Sequence, residues 1–128
     1  MGSKLTELHM PMQAVMETLA ARKLFFIDSR TSEFSVAEQI AGQFGVRTSR
    51  RHVFLDNEVD QNYLQQQFDQ LLRLAKRDGQ AIGIGHPYPE TLSFLKQHLP
   101  ELQKQGIELV FVFELTQATN QNGFFFFF

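Results

Sequence analysis

The stretch Ala81-Ile82-Gly83-Ile84-Gly85-His86-Pro87-Tyr88-Pro89-Glu90-Thr91 decides how the rest of the chain reads. It begins as a short apolar run, the pattern of a buried strand. Gly83 and Gly85 thin out the side chains where something else must come close to the backbone. His86 stands at the strand's carboxyl end, and Pro87 stops the strand because it has no N–H to donate. Pro89-Glu90-Thr91 opens a helix, with proline in the first turn and an acid near the positive end of the dipole. In α/β sheets the carboxyl ends of strands carry the chemistry. His86 is therefore either a reactive group or a strand-end residue that only hydrogen-bonds its loop.

The same grammar extends in both directions. Met12, Val15, Met16 and Leu19 fall at helical spacing, with Pro11 in the first turn and Arg22-Lys23 at the negative end. A methionine stripe of this kind is the mark of a core face rather than a binding groove. Leu24-Phe25-Phe26-Ile27 reads as a buried strand ended by Asp28-Ser29-Arg30-Thr31-Ser32. Ser35-Val36-Ala37-Glu38 has capping-box spacing ahead of a face made by Val36, Ile40, Ala41 and Phe44, with Gly45 as the stop. After the basic run Arg47, Arg50 and Arg51, Val53-Phe54-Leu55 is a second strand ending at Asp56-Asn57. Leu64, Phe68, Leu71, Leu72 and Ala75 predict a long amphipathic helix that stops near Gly79. Beyond the strand at 81–84, Leu92, Leu95 and Leu99 predict another helix, ended or kinked by Pro100. Leu109-Val110-Phe111-Val112-Phe113 reads as the last strand, and residues 117–122 as a polar, mobile tail.

Apolar strands separated by amphipathic helices predict an α/β fold, a four-stranded parallel sheet with helices outside. Right-handed parallel crossovers put every strand's carboxyl end on one rim. That rim would collect Asp28, Asp56 and His86, with Glu114 as a fourth member. Two carboxylates and a histidine can move protons or bind a cation. Alternatively, Asp28 and Asp56 only cap the helices that follow.

The chain has 128 residues, which fits one domain with a modest core. A net charge of −2 offers no basic footprint for nucleic acid or acidic membranes. Without cysteine there is neither disulfide nor thiolate chemistry. No apolar run approaches the roughly 18–20 residues that cross a bilayer, so no membrane span is expected. Met1 leads straight into polar residues, and no signal peptide is visible. Met1-Gly2-Ser3-Lys4-Leu5-Thr6 matches the short myristoylation pattern, which a vector-derived start would match equally well. The five phenylalanines at 124–128 are an aggregation liability and read as a sequencing or cloning artefact outside the fold. The expected domain is 1–116, followed by a tail over 117–128.

Four motifs, in order, carry a family resemblance: Met1-Gly2-Ser3…Thr6, Leu24-Phe25-Phe26-Ile27-Asp28-Ser29-Arg30-Thr31, Val53-Phe54-Leu55-Asp56-Asn57 and Ile82-Gly83-Ile84-Gly85-His86-Pro87…Pro89-Glu90-Thr91. Over residues 1 to about 116 the chain resembles the divergent polysaccharide deacetylases, a distant branch of the NodB-type carbohydrate deacetylases. The family fold is a distorted (β/α) barrel, of which this chain would be the C-terminal half. The family's Asp-Asp strand end and H-x-P-M motif would lie before Met1, and Met1-Gly2-Ser3 would be the end of its N-N-H-M-G-S segment, so all three elements lose their acid or histidine here. His9-Met10-Pro11-Met12 imitates H-x-P-M but stands in the wrong order to be it. His52 and His98 match no motif and are expected on the surface or in loops.

The resemblance implies a hydrolase that deacetylates N-acetylated sugars in the periplasm or outside the cell. A divalent metal, Zn²⁺, would serve the full-length protein, with its ligands absent from this chain. His86 would protonate the leaving amine, Asp28 would orient His86 or substrate, and Arg30 would hold a carboxylate by a bidentate pair. Asp56, Asn57 and Ser29 would contact an N-acetylated glycan. The chain alone would be inactive, and its open barrel edge would favour self-association. The alternative is a non-catalytic envelope or glycan-binding protein that kept the fold.

Overall fold

Short apolar runs alternating with amphipathic helices do produce parallel strand pairs, seen in a computed structural model that describes residues 3–117. The Met1-Gly2 start of the lipidation pattern, residues 118–122 of the polar tail and the phenylalanine run lie outside the described residues. Within the expected single domain the chain divides into two units, one from 1–50 with 116 onward, the other from 51–115.

The first unit contains α1 (Ser3–Thr6), α2 (His9–Ala21), β1 (Phe26–Asp28), α3 (Ala37–Gln43) and β2 (Thr48–Arg50). β1 and β2 run parallel, with Phe26 opposite Thr48, Ile27 opposite Ser49 and Asp28 opposite Arg50. The methionine stripe is core: Met12 and Met16 are buried against Ala37, Ile40, Ala41 and Val46. His9 and Met10, part of the misplaced H-x-P-M imitation, open α2 on its exposed side. The expected capping box does not form: Val36 is the N-cap of α3 without a side-chain cap bond, and the Ser35 hydroxyl, one residue earlier, accepts from the Ala37 N–H at 3.3 Å. Gly45 follows α3 with φ +67°, a left-handed value that favours glycine.

The second unit contains β3 (Val53–Phe54), α4 (Gln61–Asp78), β4 (Gly83–Ile84) and α5 (Pro89–His98), then short 3-10 turns. β3 and β4 are parallel, Val53 opposite Gly83 and Phe54 opposite Ile84. α4 starts where the Asp60 carboxylate accepts from the N–H groups of Asn62 and Tyr63, both at 3.0 Å. Such a cap is worth about 1 kcal/mol. It stops at Gly79, which takes φ +84°. Between these ends Leu64, Phe68 and Leu72 pack on Val53, Leu55, Phe94 and Leu102. Each large apolar side chain buried this way contributes about 1.5–3 kcal/mol.

Several expectations need correction. Among the described residues the strands form two two-stranded parallel sheets, not one four-stranded sheet. Thr48–Arg50, inside the basic run, is a strand that apolar patterning does not reveal, since it reads Thr-Ser-Arg. It is held from outside: the Phe26 N–H donates to the Arg47 carbonyl at 2.9 Å. Leu109-Val110-Phe111-Val112-Phe113 is not a strand among the described residues; it runs into a 3-10 turn at Val112–Leu115. An apolar run becomes a strand only where another strand satisfies its backbone. Here the Phe111 N–H donates instead to the Glu114 carboxylate at 3.0 Å, which also removes Glu114 from any strand-end rim. Gln117, placed in the mobile tail, pairs antiparallel with Thr48, each N–H donating to the other's carbonyl at 2.9 Å.

Candidate functional site

The second unit brings together the histidine and one of the two aspartates singled out above. β3 delivers Asp56 and β4 delivers His86, and because the strands are parallel both leave the same end of the pair. Asp56 is only 2% exposed. One carboxylate oxygen, Oδ2, accepts from the His86 backbone N–H at 2.6 Å and from the Thr91 hydroxyl at 2.8 Å. The other, Oδ1, lies 3.0 Å from His86 Nδ1. An ionised carboxylate can only accept, so Nδ1 carries the proton in this pair and Nε2 is the ring nitrogen left for chemistry.

Burial pushes the Asp56 carboxyl up, but the bonds from the His86 ring, the His86 N–H and the Thr91 hydroxyl outweigh it. With the His86 charge added, the group lies below its ordinary range and stays ionised at neutral pH. The His86 side chain is 52% exposed, whereas that of Asp56 is fully covered. An exposed ring is thus backed by a buried anion.

The two glycines of the opening stretch explain how the pair fits. A Cβ on Gly85 would sit 3.1 Å from Asp56 Oδ2 and 3.4 Å from the Thr91 side chain. A Cβ on Gly83 would meet Leu71 of α4 at 2.6 Å. Gly83 thus admits the helix and Gly85 admits the carboxylate. Tyr88, flanked by Pro87 and Pro89, stacks on His86 with ring centroids 5.0 Å apart and planes 25° from parallel.

Asp28 belongs to the first unit and is also 2% exposed. Its oxygens accept from the Arg30 N–H at 2.8 Å and the Ser35 hydroxyl at 2.5 Å. Arg30 takes φ +51°, rare for a residue with a side chain, and the Asp28 bond holds that turn. Ser29 and Arg30 are half-buried, and Asp28 and Ser29 line a shallow cleft of about 280 Å³ with Ser3, Thr6 and Thr31. The carboxylate bonded to His86 is Asp56, not the Asp28 to which the orienting role was assigned. Asn57 is exposed beside Asp56.

Thr91 is the site residue that motif reading passed over. It is 1% exposed and locks Asp56 to the first turn of α5. Its position in Pro89-Glu90-Thr91 was the available signal, because a hydroxyl in a first turn can reach a strand-end acid. His52 and His98 are structural. His52 Nδ1 accepts from the Ile82 N–H at 3.0 Å, and the His98 ring stacks on Phe94 at 3.9 Å. Two of the three arginines in the basic run also have structural contacts: Arg47 donates to the Thr116 carbonyl at 2.6 Å, and Arg51 lies over the Phe54 ring at 4.3 Å.

Among the described residues no three His, Cys, Asp or Glu side chains gather in a group that could hold a metal ion. Both Asp56 oxygens already accept bonds from His86 and Thr91, so the pair does not fit a zinc centre by itself. A cavity of about 580 Å³ in this unit is an apolar groove between Leu71, Leu95, Leu99, Val110 and Leu115, and neither His86 nor Asp56 lines it.

Comparison with known proteins agrees with this architecture. A crystal structure of an uncharacterised protein from Agrobacterium tumefaciens C58 superposes with a TM-score of 0.86 at 30% identity, covering 90% of this chain and 47% of that one. An uncharacterised Haemophilus influenzae protein is 42% identical over 110 residues, 86% of this chain and 39% of that protein. The uncharacterised protein YibQ of Escherichia coli K12 is 40% identical over 97 residues, 76% of this chain and 30% of its own. The chain thus spans less than half the length of each. Residues 1–116 match the family model described as divergent polysaccharide deacetylase, and they include both strand ends and the His86 loop. The chain belongs to the divergent polysaccharide deacetylase family.

Proposed function

We propose that this chain is the histidine-bearing part of a hydrolase that removes acetyl groups from N-acetylated glycans, and that it is inactive alone. The observation that carries this reading is the His86–Asp56 pair, an exposed ring whose Nδ1 faces a buried carboxylate at 3.0 Å. As imidazolium, His86 shares its Nδ1 proton with Asp56 and holds a second proton on Nε2. When water oxygen bonds to the acetyl carbon, one water proton passes to a base, which is assigned outside residues 1–116; when the C–N bond then breaks, its bonding pair goes to nitrogen. The Nε2 proton follows it, giving a free amine and acetic acid, which ionises to acetate. Asp56 offsets the ring's charge before transfer and keeps its tautomer afterwards.

Arg30 is assigned to a carboxylate on substrate or protein, and Ser29, Asn57 and the Asp28 turn to sugar hydroxyls. The Zn²⁺ ion that the family implies is assigned to ligands outside residues 1–116. A glycan substrate puts the protein in the periplasm or outside the cell. The exposed run at 109–113, in which Phe111 is 84% exposed, favours self-association of the chain alone.

The test is acetate release from N-acetylated oligosaccharides by a chain of the relatives' length that carries this segment. His86→Gln should lower the rate about 100-fold or more, the usual contribution of a positioned acid. Glycan binding without acetate release, unchanged by His86→Gln, would support a non-catalytic glycan-binding protein instead.

A further inference from the structure

Asp56 alone does not hold the imidazole still. It grips His86 at the backbone N–H and at Nδ1, which sets the tautomer and forbids a ring flip. Rotation of the ring about the Nδ1···Oδ1 line costs that bond little, and such tilting swings Nε2 away from any fixed point. The face of the ring must be held by something else. Tyr88 is the side chain stacked on it, at 5.0 Å and 25°, within the offset-stacked range for aromatic pairs.

The backbone dictates this stack. His86 and Tyr88 are two residues apart, with one proline between them, and their rings meet face to face. Pro89 biases the residue before it to extended geometry, and Tyr88 has φ −70° and ψ 144°. Pro87 fixes its own φ between the two rings. The rings therefore meet with little conformational entropy left to lose. Tyr88 makes no side-chain cap to α5, so its ring is not required to start the helix.

We propose that Tyr88 is a positioning residue for His86: it clamps the face of the imidazole so that, with Asp56 at Nδ1, Nε2 points in one direction. This rests on His86 carrying the proton transfer proposed above. Asp56 sets which nitrogen is free, and Tyr88 sets where that nitrogen points.

The decisive measurement is the NMR spectrum of the His86 ring in the purified chain, in wild type, Tyr88→Phe and Tyr88→Ala. The Tyr88 ring current should displace the His86 ring-proton resonances, Tyr88→Phe should preserve the displacement, and Tyr88→Ala should abolish it while the α5 amide signals stay in place. His86 resonances that are the same in all three proteins would overturn the proposal. The second arm uses acetate release by the longer chain. Tyr88→Ala should lower kcat about tenfold at unchanged KM, as misorientation of a reacting group does, and Tyr88→Phe should restore it. A raised KM at constant kcat would make Tyr88 a substrate contact and overturn the positioning role. If the longer wild-type protein releases no acetate, the deacetylase reading fails, and the ring spectra still decide whether Tyr88 clamps His86.

Discussion

Asp28 and Asp56 follow short parallel strands in different units, and each is 2% exposed, yet their carboxylates do different work. The partners of Asp28 are two and seven residues ahead, so it closes its own loop and holds Arg30 in a left-handed turn. The partners of Asp56 are 30 and 35 residues ahead, so it ties β3 to the His86 loop and to α5. In one-dimensional terms both are strand-end aspartates followed by a polar residue. The difference lies in what arrives at the strand end. A local loop makes the acid a turn staple; a second strand end carrying histidine makes it the buried anion behind an exposed ring.

The largest effect should come from removing the long-range acid. Asp56→Ala strands a buried hydroxyl, a backbone N–H and a ring N–H, and should cost about 3 kcal/mol. Asp28→Ala strands one N–H and one hydroxyl in a local turn, and should cost about 1.5 kcal/mol. Urea unfolding of both variants measures the contrast, and equal losses would erase the distinction between staple and tie.

Acid should sharpen it further. The folded value of Asp56 lies below its ordinary 3.8, so folding favours its ionised form. That stabilisation is fully present above pH 3.8 and is lost as pH falls below it through the folded value. A stability profile over this range should show an acid limb that Asp56→Asn removes. Persistence of the limb in that variant would assign it to other carboxylates.

The glycines give a smaller and more local contrast. Gly85→Ala presses a methyl against hydrogen-bonded Asp56 and should cost about 1–2 kcal/mol while shifting the His86 ring signals. Gly83→Ala meets the end of a leucine side chain, and it should change stability without moving His86. His86 signals that respond equally to both would show that the site does not depend on the close approach at Gly85.

Smallest of all should be the effect of the exposed run on folding. Phe111→Ser should change stability by no more than about 0.5 kcal/mol, because Phe111 packs on little. Sedimentation should nevertheless show less self-association. An unfolded variant would mean that the 109–113 run is a structural strap of its unit.

Much of this was legible in one dimension. Leu64, Phe68 and Leu72 ahead of Gly79 announce α4 because spacing and stop agree, while its Asp60 cap emerges only in the structure. Gly83 and Gly85 announce a close approach, and two different neighbours occupy the space they leave. Met12 and Met16 announce a core face and are core. The failures share one cause. Thr48–Arg50 lacks an apolar pattern and is a strand because β1 pairs with it. Leu109-Val110-Phe111-Val112-Phe113 has the pattern and is no strand, because among the described residues none pairs with it.

The sequence by itself determined the four longer helices α2 to α5, that the strands pair in parallel, and that His86 follows a strand with Tyr88 close behind it. These follow from periodicity, proline and glycine, which act over a few residues and need no knowledge of distant chain. Only the tertiary structure decided that Asp56 rather than Asp28 holds the histidine, and that Thr91 completes the grip. Strand pairing and the choice of hydrogen-bond partner across 30 residues depend on which backbone groups meet in space. That meeting is set by the packing of α4 and α5 on β3 and β4, which no local pattern encodes.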